Sequence, residues 1–290
     1  MFEILQLTLD YTFKKLFAED PEILINLINS VLEFPSYAKI DSIRIKNPAI
    51  LPEDIHKKFI ILDIIAYDNL TRQYDIEMQA AKFDTYPDRA TYYLAGLFGS
   101  QLVKGEDYAL ITPSFGLHFL NYIQYPQYSD RFHFNFSFRD EQYHDLILSK
   151  NLSLHLMELP KVTENNYLKS DKTQWLYFLR NAHKEKEKNM EVRYSNPMII
   201  KAFHKLIDLS ANEESRLQAR ARERAIFNKR VELGYARQKG LEEGMEKGME
   251  KGMEKERRTI AKKLKQMGVP IDQISETTLL DISVIHDIET

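Results

Sequence analysis

FIILDIIAY (residues 59–67), DNLTR (68–72) and QYDIEMQAA (73–81) form the stretch on which the fold turns. The first segment is an apolar run interrupted by one acid, Asp63. The third alternates Tyr74, Ile76 and Met78 with Gln73, Asp75, Glu77 and Gln79. Apolar runs of this length and strict period-two alternation both predict strands, and the short polar segment between them predicts an antiparallel hairpin. With the turn centred on Leu70, Asp63 stands opposite Glu77, each seven residues from the centre. Their Cβ atoms then lie ~5 Å apart on one face, and Gln79 projects from that face two residues further on. Alternation alone also fits an ordinary solvent-facing strand. Asp63 argues otherwise, because an unpaired carboxylate inside an apolar strand costs several kcal/mol.

Two like charges set opposite each other repel, and the repulsion grows as water is excluded. A divalent cation between them resolves the conflict. Mg²⁺ takes hard oxygen ligands, binds through one or two carboxylates and keeps several waters, which leaves room for phosphate oxygens. Such an ion polarises a phosphoryl group and lowers the pKa of water, so phosphodiester hydrolysis is the chemistry this pair suits. Gln79 cannot take a proton near neutral pH, but its amide can orient water or bond a phosphate oxygen.

Outward from the hairpin, residues 10–34 read as two helices, with Pro21 after Asp20 starting the second. Leu24, Leu27, Ile28, Val31 and Leu32 form its apolar stripe. Further strands are predicted near 108–121, 131–138 and 152–159, the second from RFHFNFSFR, where every second residue is Phe. A helix is predicted over 86–103, with Tyr92, Tyr93, Leu97 and Phe98 as its core stripe. The fold class is therefore α/β: a mixed sheet flanked by helices, followed by an all-helical C-terminal tail. Arg89 and Gln101 fall on the helix after the hairpin, where such side chains touch substrate or, more often, support packing.

The 290 residues are 43% apolar, enough for a substantial core. The absence of cysteine excludes disulfides, thiolate metal sites and a cysteine nucleophile, and agrees with a reducing, cytoplasmic setting. No apolar run approaches the ~20 residues of a membrane span, and no signal peptide is read. A formal net charge of -3 excludes a uniformly basic nucleic-acid binder. The eight histidines form no H-E-x-x-H, and neither a G-x-S-x-G elbow nor a phosphate-binding glycine loop is present.

Four segments are expected: a catalytic domain over 1–165, a helical and partly basic extension over 166–239, a repeat over 240–256 and a small helical module over 257–290. Residues 201–240 carry ten Lys or Arg against five Asp or Glu. This excess suits either DNA phosphates or a solvated helix surface. The repeat sets Gly240, Gly244, Gly248 and Gly252 four apart beside Leu241, Met245, Met249 and Met253. Gly costs ~1 kcal/mol relative to Ala within a helix, so a marginal helix or tether is expected. Beyond it the pattern gives helix, a Gly268-Val269-Pro270 break, and two shorter helices. They suit a homo-oligomerisation piece better than a helix-turn-helix DNA reader.

Asp63 followed by Glu77-Met78-Gln79 on the next strand resembles the bipartite signature of the PD-(D/E)XK nuclease superfamily, in the form seen in the Rpn family of recombination-promoting nucleases and transposase-like proteins. LDYTFKKLF near the amino terminus, the helix RATYYLAGLFGSQLVKGEDY, the strand HLMELPK and the Gly/Glu/Lys tail extend the likeness over most of the chain. The resemblance implies a restriction-endonuclease-like fold and a Mg²⁺-dependent DNA endonuclease, with Mn²⁺ as a substitute ion and DNA as partner. It implies that Asp63 and Glu77 are the metal ligands and that Gln79 occupies the place usually held by Lys. It also aligns Asp10 with the acid contributed by the first helix, although Asp commonly caps a helix at such a position. Leu62 stands where the superfamily pattern has Pro. Loss of the Lys charge implies slow turnover, or a noncatalytic DNA-binding and assembly protein that keeps the fold.

Overall fold

Asp20 and Pro21 set the first landmark: the Asp20 carboxylate accepts the Ile23 N–H at 3.3 Å and Pro21 opens the helix, so α2 (Pro21–Leu32) starts where the sequence predicts. It follows α1 (Asp10–Ala18). The computed structural model describes residues 3–46 and 64–288.

Six strands form one mixed sheet: β1 (Ile43–Lys46), β2 (Ile64–Asp68), β3 (Gln73–Gln79), β4 (Ser114–Leu120), β5 (His133–Arg139) and β6 (Ile147–Glu158), in the order β1-β2-β3-β4-β6-β5. The β2–β3 hairpin has the predicted register, with Ile64 opposite Ile76, Ile65 opposite Asp75 and Ala66 opposite Tyr74. β4 runs parallel to β3 and β6 parallel to β4, while the outer pairs are antiparallel. The parallel step from β3 to β4 needs a crossover, which α3 (Tyr86–Gly99) supplies.

Period two assigns the faces. Tyr74, Ile76 and Met78 point into the main core with Phe13 and Phe17 of α1, Leu24 and Leu27 of α2, and Leu117 and Phe119 of β4. α4 (Asp171–Asn181) and α6 (Pro197–Ala211) add Trp175, Phe178 and Phe203 to the same core. α4 opens on a reciprocal Ser170–Thr173 capping box, and the one-turn α5 (Met190–Arg193) lies between α4 and α6. Trp175 Nε1 donates to Asn26 Oδ1 at 2.8 Å, so the largest core side chain also satisfies its polar atom. The other face of β3 looks toward α3.

Several sequence expectations are corrected. α3 stops at Gly99, so Gln101 lies in the following loop, where it donates to Thr112 O and Ser114 Oγ at 2.9 Å. The buried stripe of α3 is Tyr86, Ala90, Leu94 and Leu97, whereas Tyr92 is 53% exposed. β4 begins at Ser114 because Tyr108–Leu110 form a 3₁₀ turn. β1 was not predicted; its four residues, IRIK, are too short to establish a period. Of the Phe alternation Phe134 is buried, whereas Phe136 and Phe138 are 44% and 53% exposed, and the β5–β6 register shifts on either side of Phe138.

The described residues up to Ile226 form one compact unit and those from Phe227 onward another. α7 (Glu213–Gln266) begins in the first and ends in the second, and it is helical through the glycine repeat. In the second unit α8 (Ile271–Thr278) and α9 (Ile282–His286) pack with the end of α7 around Ala261, Ile274 and Ile285. The break falls at Gly268, whose φ of 77° suits glycine. Lys265 Nζ donates to the carbonyls of Ile285, His286 and Ile288 at 2.9–3.1 Å, capping the last helix with a cation.

Candidate active site

β3 delivers its polar face to α3. Gln73, Asp75, Glu77 and Gln79 follow the pleat onto this face, opposite Ser114, Gly116, His118 and Leu120 of β4. Glu77 is only 2% exposed. Gln79 Nε2 donates to Glu77 Oε2 at 2.9 Å, and Arg89 Nη2 of α3 donates to Gln79 Oε1 at 2.7 Å. The amide orientation is thus set from both ends, with its nitrogen toward the acid. Arg89 also lies over the Tyr86 ring at 5.0 Å, and its Nε is buried with no hydrogen-bond partner among the described residues. A guanidinium held this way offers a directed positive charge in a water-poor setting.

Beside this group runs a second chain of polar atoms. Tyr86 Oη lies 2.7 Å from His118 Nδ1, and His118 Nε2 lies 3.3 Å from Asp75 Oδ2. Burial pushes the Asp75 carboxyl up to about 8, which favours its protonated form. Burial also raises the Tyr86 phenol well above its usual range, which keeps it neutral. Gly116 makes this crowding feasible: a Cβ there would lie 2.7 Å from Leu154 Cδ1 and 3.3 Å from His118 Nε2. These atoms tie α3 to β3 and β4. Sequence pattern alone does not single them out. An acid on the alternating face and a histidine inside a predicted strand were the available signals, but their pairing needs the β3–β4 register.

The predicted residues are placed as follows. Glu77 and Gln79 are in direct contact. Asp63 lies outside the described residues. Asp10 is the first residue of α1; its Oδ1 accepts the Tyr11 N–H at 2.8 Å, and Arg222 Nε donates to both of its oxygens at 2.9 and 2.6 Å. The N-cap position itself is Leu9. α1 packs on the opposite face of the sheet from Glu77, so Asp10 makes no hydrogen bond to Glu77 or Gln79. Glu158, in HLMELPK, is fully buried, accepts the Gln124 and Tyr125 N–H groups at 2.9 and 2.7 Å, and pairs with Lys161 at 2.6 Å.

The family model described as PD-(D/E)XK nuclease family transposase matches residues 7–236. The chain belongs to this family. Membership in the PD-(D/E)XK nuclease family agrees with the mixed sheet, the antiparallel β2–β3 hairpin and the parallel β3–α3–β4 step. Comparison with curated proteins and with solved structures returns no match. PD-(D/E)XK nucleases generally use divalent metals, and their substrate class is DNA. Among the described residues no group of three or more His, Asp or Glu side chains could hold an ion. A Mg²⁺ site does not require three, since one or two carboxylates with water suffice, and the hard oxygens of buried Glu77 fit that donor chemistry. No helix among the described residues is long and apolar enough to cross a membrane.

Proposed function

We propose that this protein is a divalent-metal-dependent DNA endonuclease acting in recombination or transposition, with Asp63 and Glu77 as the metal ligands. The observation that carries the proposal is the buried Glu77 carboxylate bonded to Gln79 at 2.9 Å, on the β3 face covered by α3, in a chain of this nuclease family. Mg²⁺, or Mn²⁺ in its place, supplies Lewis acidity toward phosphoryl oxygens and lowers the pKa of water. Gln79 holds the Glu77 carboxylate in one orientation. Arg89 supplies, one side chain away, the positive charge that Gln79 lacks where the family has Lys. Asp10 serves the site indirectly, by fixing the start of α1 through Arg222.

The neutral amide at position 79 supports a second reading, a DNA-binding and assembly protein of low catalytic activity. In either case the protein works in the cytoplasm and self-associates through its tail, where Val231, Tyr235, Met245 and Met249 are 56–70% exposed. Supercoiled plasmid incubated with wild type, Asp63→Ala and Glu77→Ala, with Mg²⁺ or with chelator, separates the readings. The nuclease reading expects metal-dependent nicking by wild type alone. Equal nicking by all three proteins rejects the site, and a chelator-insensitive gel shift without cleavage favours the second reading.

A further inference from the structure

A cleft of about 240 Å³ opens on the other face of the sheet, at the β5–β6 pair. Its face follows from the register: Ser153 and His155 share a row with Phe115 and Leu117, which stand beside Tyr74 and Ile76 of the main core, not beside Glu77. A break in the ladder creates the space. Ser137 pairs with Ser153 but Phe138 pairs with Ser149, so residues 150–152 of β6 are left over between the two partners. Such bulges bend a strand and redirect its side chains.

The lining is cationic and rich in donors. Arg139 and Lys150 border the cleft together with Ser137, Ser149 and Ser153, and the lining contains no Asp or Glu. Arg139 is oriented by Ser137 Oγ, to which its Nε donates at 2.8 Å, and by the His144 carbonyl at 3.2 Å. Neither Arg139 nor Lys150 has an ion-pair partner among the described residues. At the back, His155 is 6% exposed and spans two contacts, Ser153 Oγ at 3.3 Å and His133 Nε2 at 2.9 Å. Burial keeps both imidazoles neutral at pH 7, so they add polar atoms without adding charge. The apolar wall is Phe34 against Phe115, with ring centres 5.7 Å apart.

Two unneutralised cations with hydroxyl donors select a phosphate, and an aromatic wall beside them selects a planar base. The volume lies below the ~300 Å³ at which sites for drug-sized ligands begin, so one nucleotide-sized group is the limit. We propose that this cleft is a nucleotide-phosphate site, with Arg139 and Lys150 on the phosphate and Phe34 and Phe115 beside the base. The nucleotide is either free or the phosphorylated end of a strand. The site is separate from Glu77 and does not depend on the nuclease reading.

Titration calorimetry on the full chain in chelator tests it, using adenosine 5′-monophosphate against adenosine, and a 5′-phosphorylated against a 5′-hydroxyl short single strand. The phosphorylated probe of at least one pair is expected to bind at least about tenfold tighter than its unphosphorylated partner. Arg139→Gln with Lys150→Gln is expected to erase that preference, whereas Glu77→Gln keeps it. Preference confined to the monophosphate identifies a free nucleotide, and preference confined to the oligonucleotide identifies a strand end. Equal binding within both pairs overturns the proposal, as does an unchanged preference in the double variant. Loss of the preference in Glu77→Gln also overturns it. Ser153→Ala, which removes one donor but no charge, provides a second variant with an expected partial loss should the double variant melt early.

Discussion

Nη2 of Arg89 lies 2.7 Å from Oε1 of Gln79, so a cation from α3 is coupled to the amide that holds the Glu77 carboxylate on β3. The amide transmits this coupling to Glu77 at 2.9 Å. Charge at the site thus comes from the helix and polarity from the strand.

Arg89→Gln is accordingly expected to lower metal-dependent nicking about a hundredfold, the usual cost of removing one directed donor from a site where charge develops. Arg89→Lys restores charge without the planar fork and is expected to fall between the two. Initial nicking rates, with thermal melts to verify folding, check both.

Asp68 is expected to be a stability determinant of the β2–β3 hairpin. Its buried carboxylate accepts the N–H groups of Leu70 and Arg72 at 2.8 and 3.0 Å, Arg72 Nε at 2.5 Å and Tyr74 Oη at 2.7 Å. These bonds hold Thr71 at a φ of 63°, a region that disfavours branched residues. Asp68→Ala leaves Arg72 buried without its counter-charge and should cost about 3–5 kcal/mol. Tyr74→Phe removes one bond to a charged acceptor and should cost about 1.5–3 kcal/mol. Urea unfolding at pH 7 measures both.

The His133–His155 pair predicts acid sensitivity. Burial, with Lys172 of α4 and Arg131 nearby, lowers His133 to about 4; burial, His133 and Lys172 lower His155 to about 3. Glu33 pairs with Lys172 at 2.6 Å, and among the described residues neither imidazole bonds a carboxylate. Between these values and the ordinary 6.5 the unfolded chain binds more protons than the folded one. The stability the pair contributes is therefore complete above pH 6.5 and is lost as pH falls toward 4 and 3. Two protons give a limiting slope of about 2.7 kcal/mol per pH unit. Urea midpoints from pH 7 to 4 should fall steeply in wild type, and His133→Gln with His155→Gln should flatten the curve.

Much of the fold is legible in local pattern. Asp20-Pro21 fixes where α2 starts, Gly268 fixes where α7 stops, and the hairpin register follows from the Leu70 turn because a one-residue slip would turn Glu77 and Gln79 into the core. β1 is invisible because four residues carry no period, and Tyr92 misleads because a Tyr pair on a helix does not say which ring meets the sheet. In the candidate site, the sequence singles out Glu77 and Gln79 by their alternation.

What the sequence alone determined is the alternation that sends Glu77 and Gln79 to one face, since pleat and helix periods are properties of the local chain. Only the tertiary structure decided which partners the polar side chains meet. The β3–β4 register brings His118 to Asp75, α3 lowers Arg89 onto Gln79, and the first part of α7 gives Arg222 to Asp10. These partners lie 43, 10 and 212 residues apart, and contacts of that kind depend on how whole elements pack, which no local period encodes.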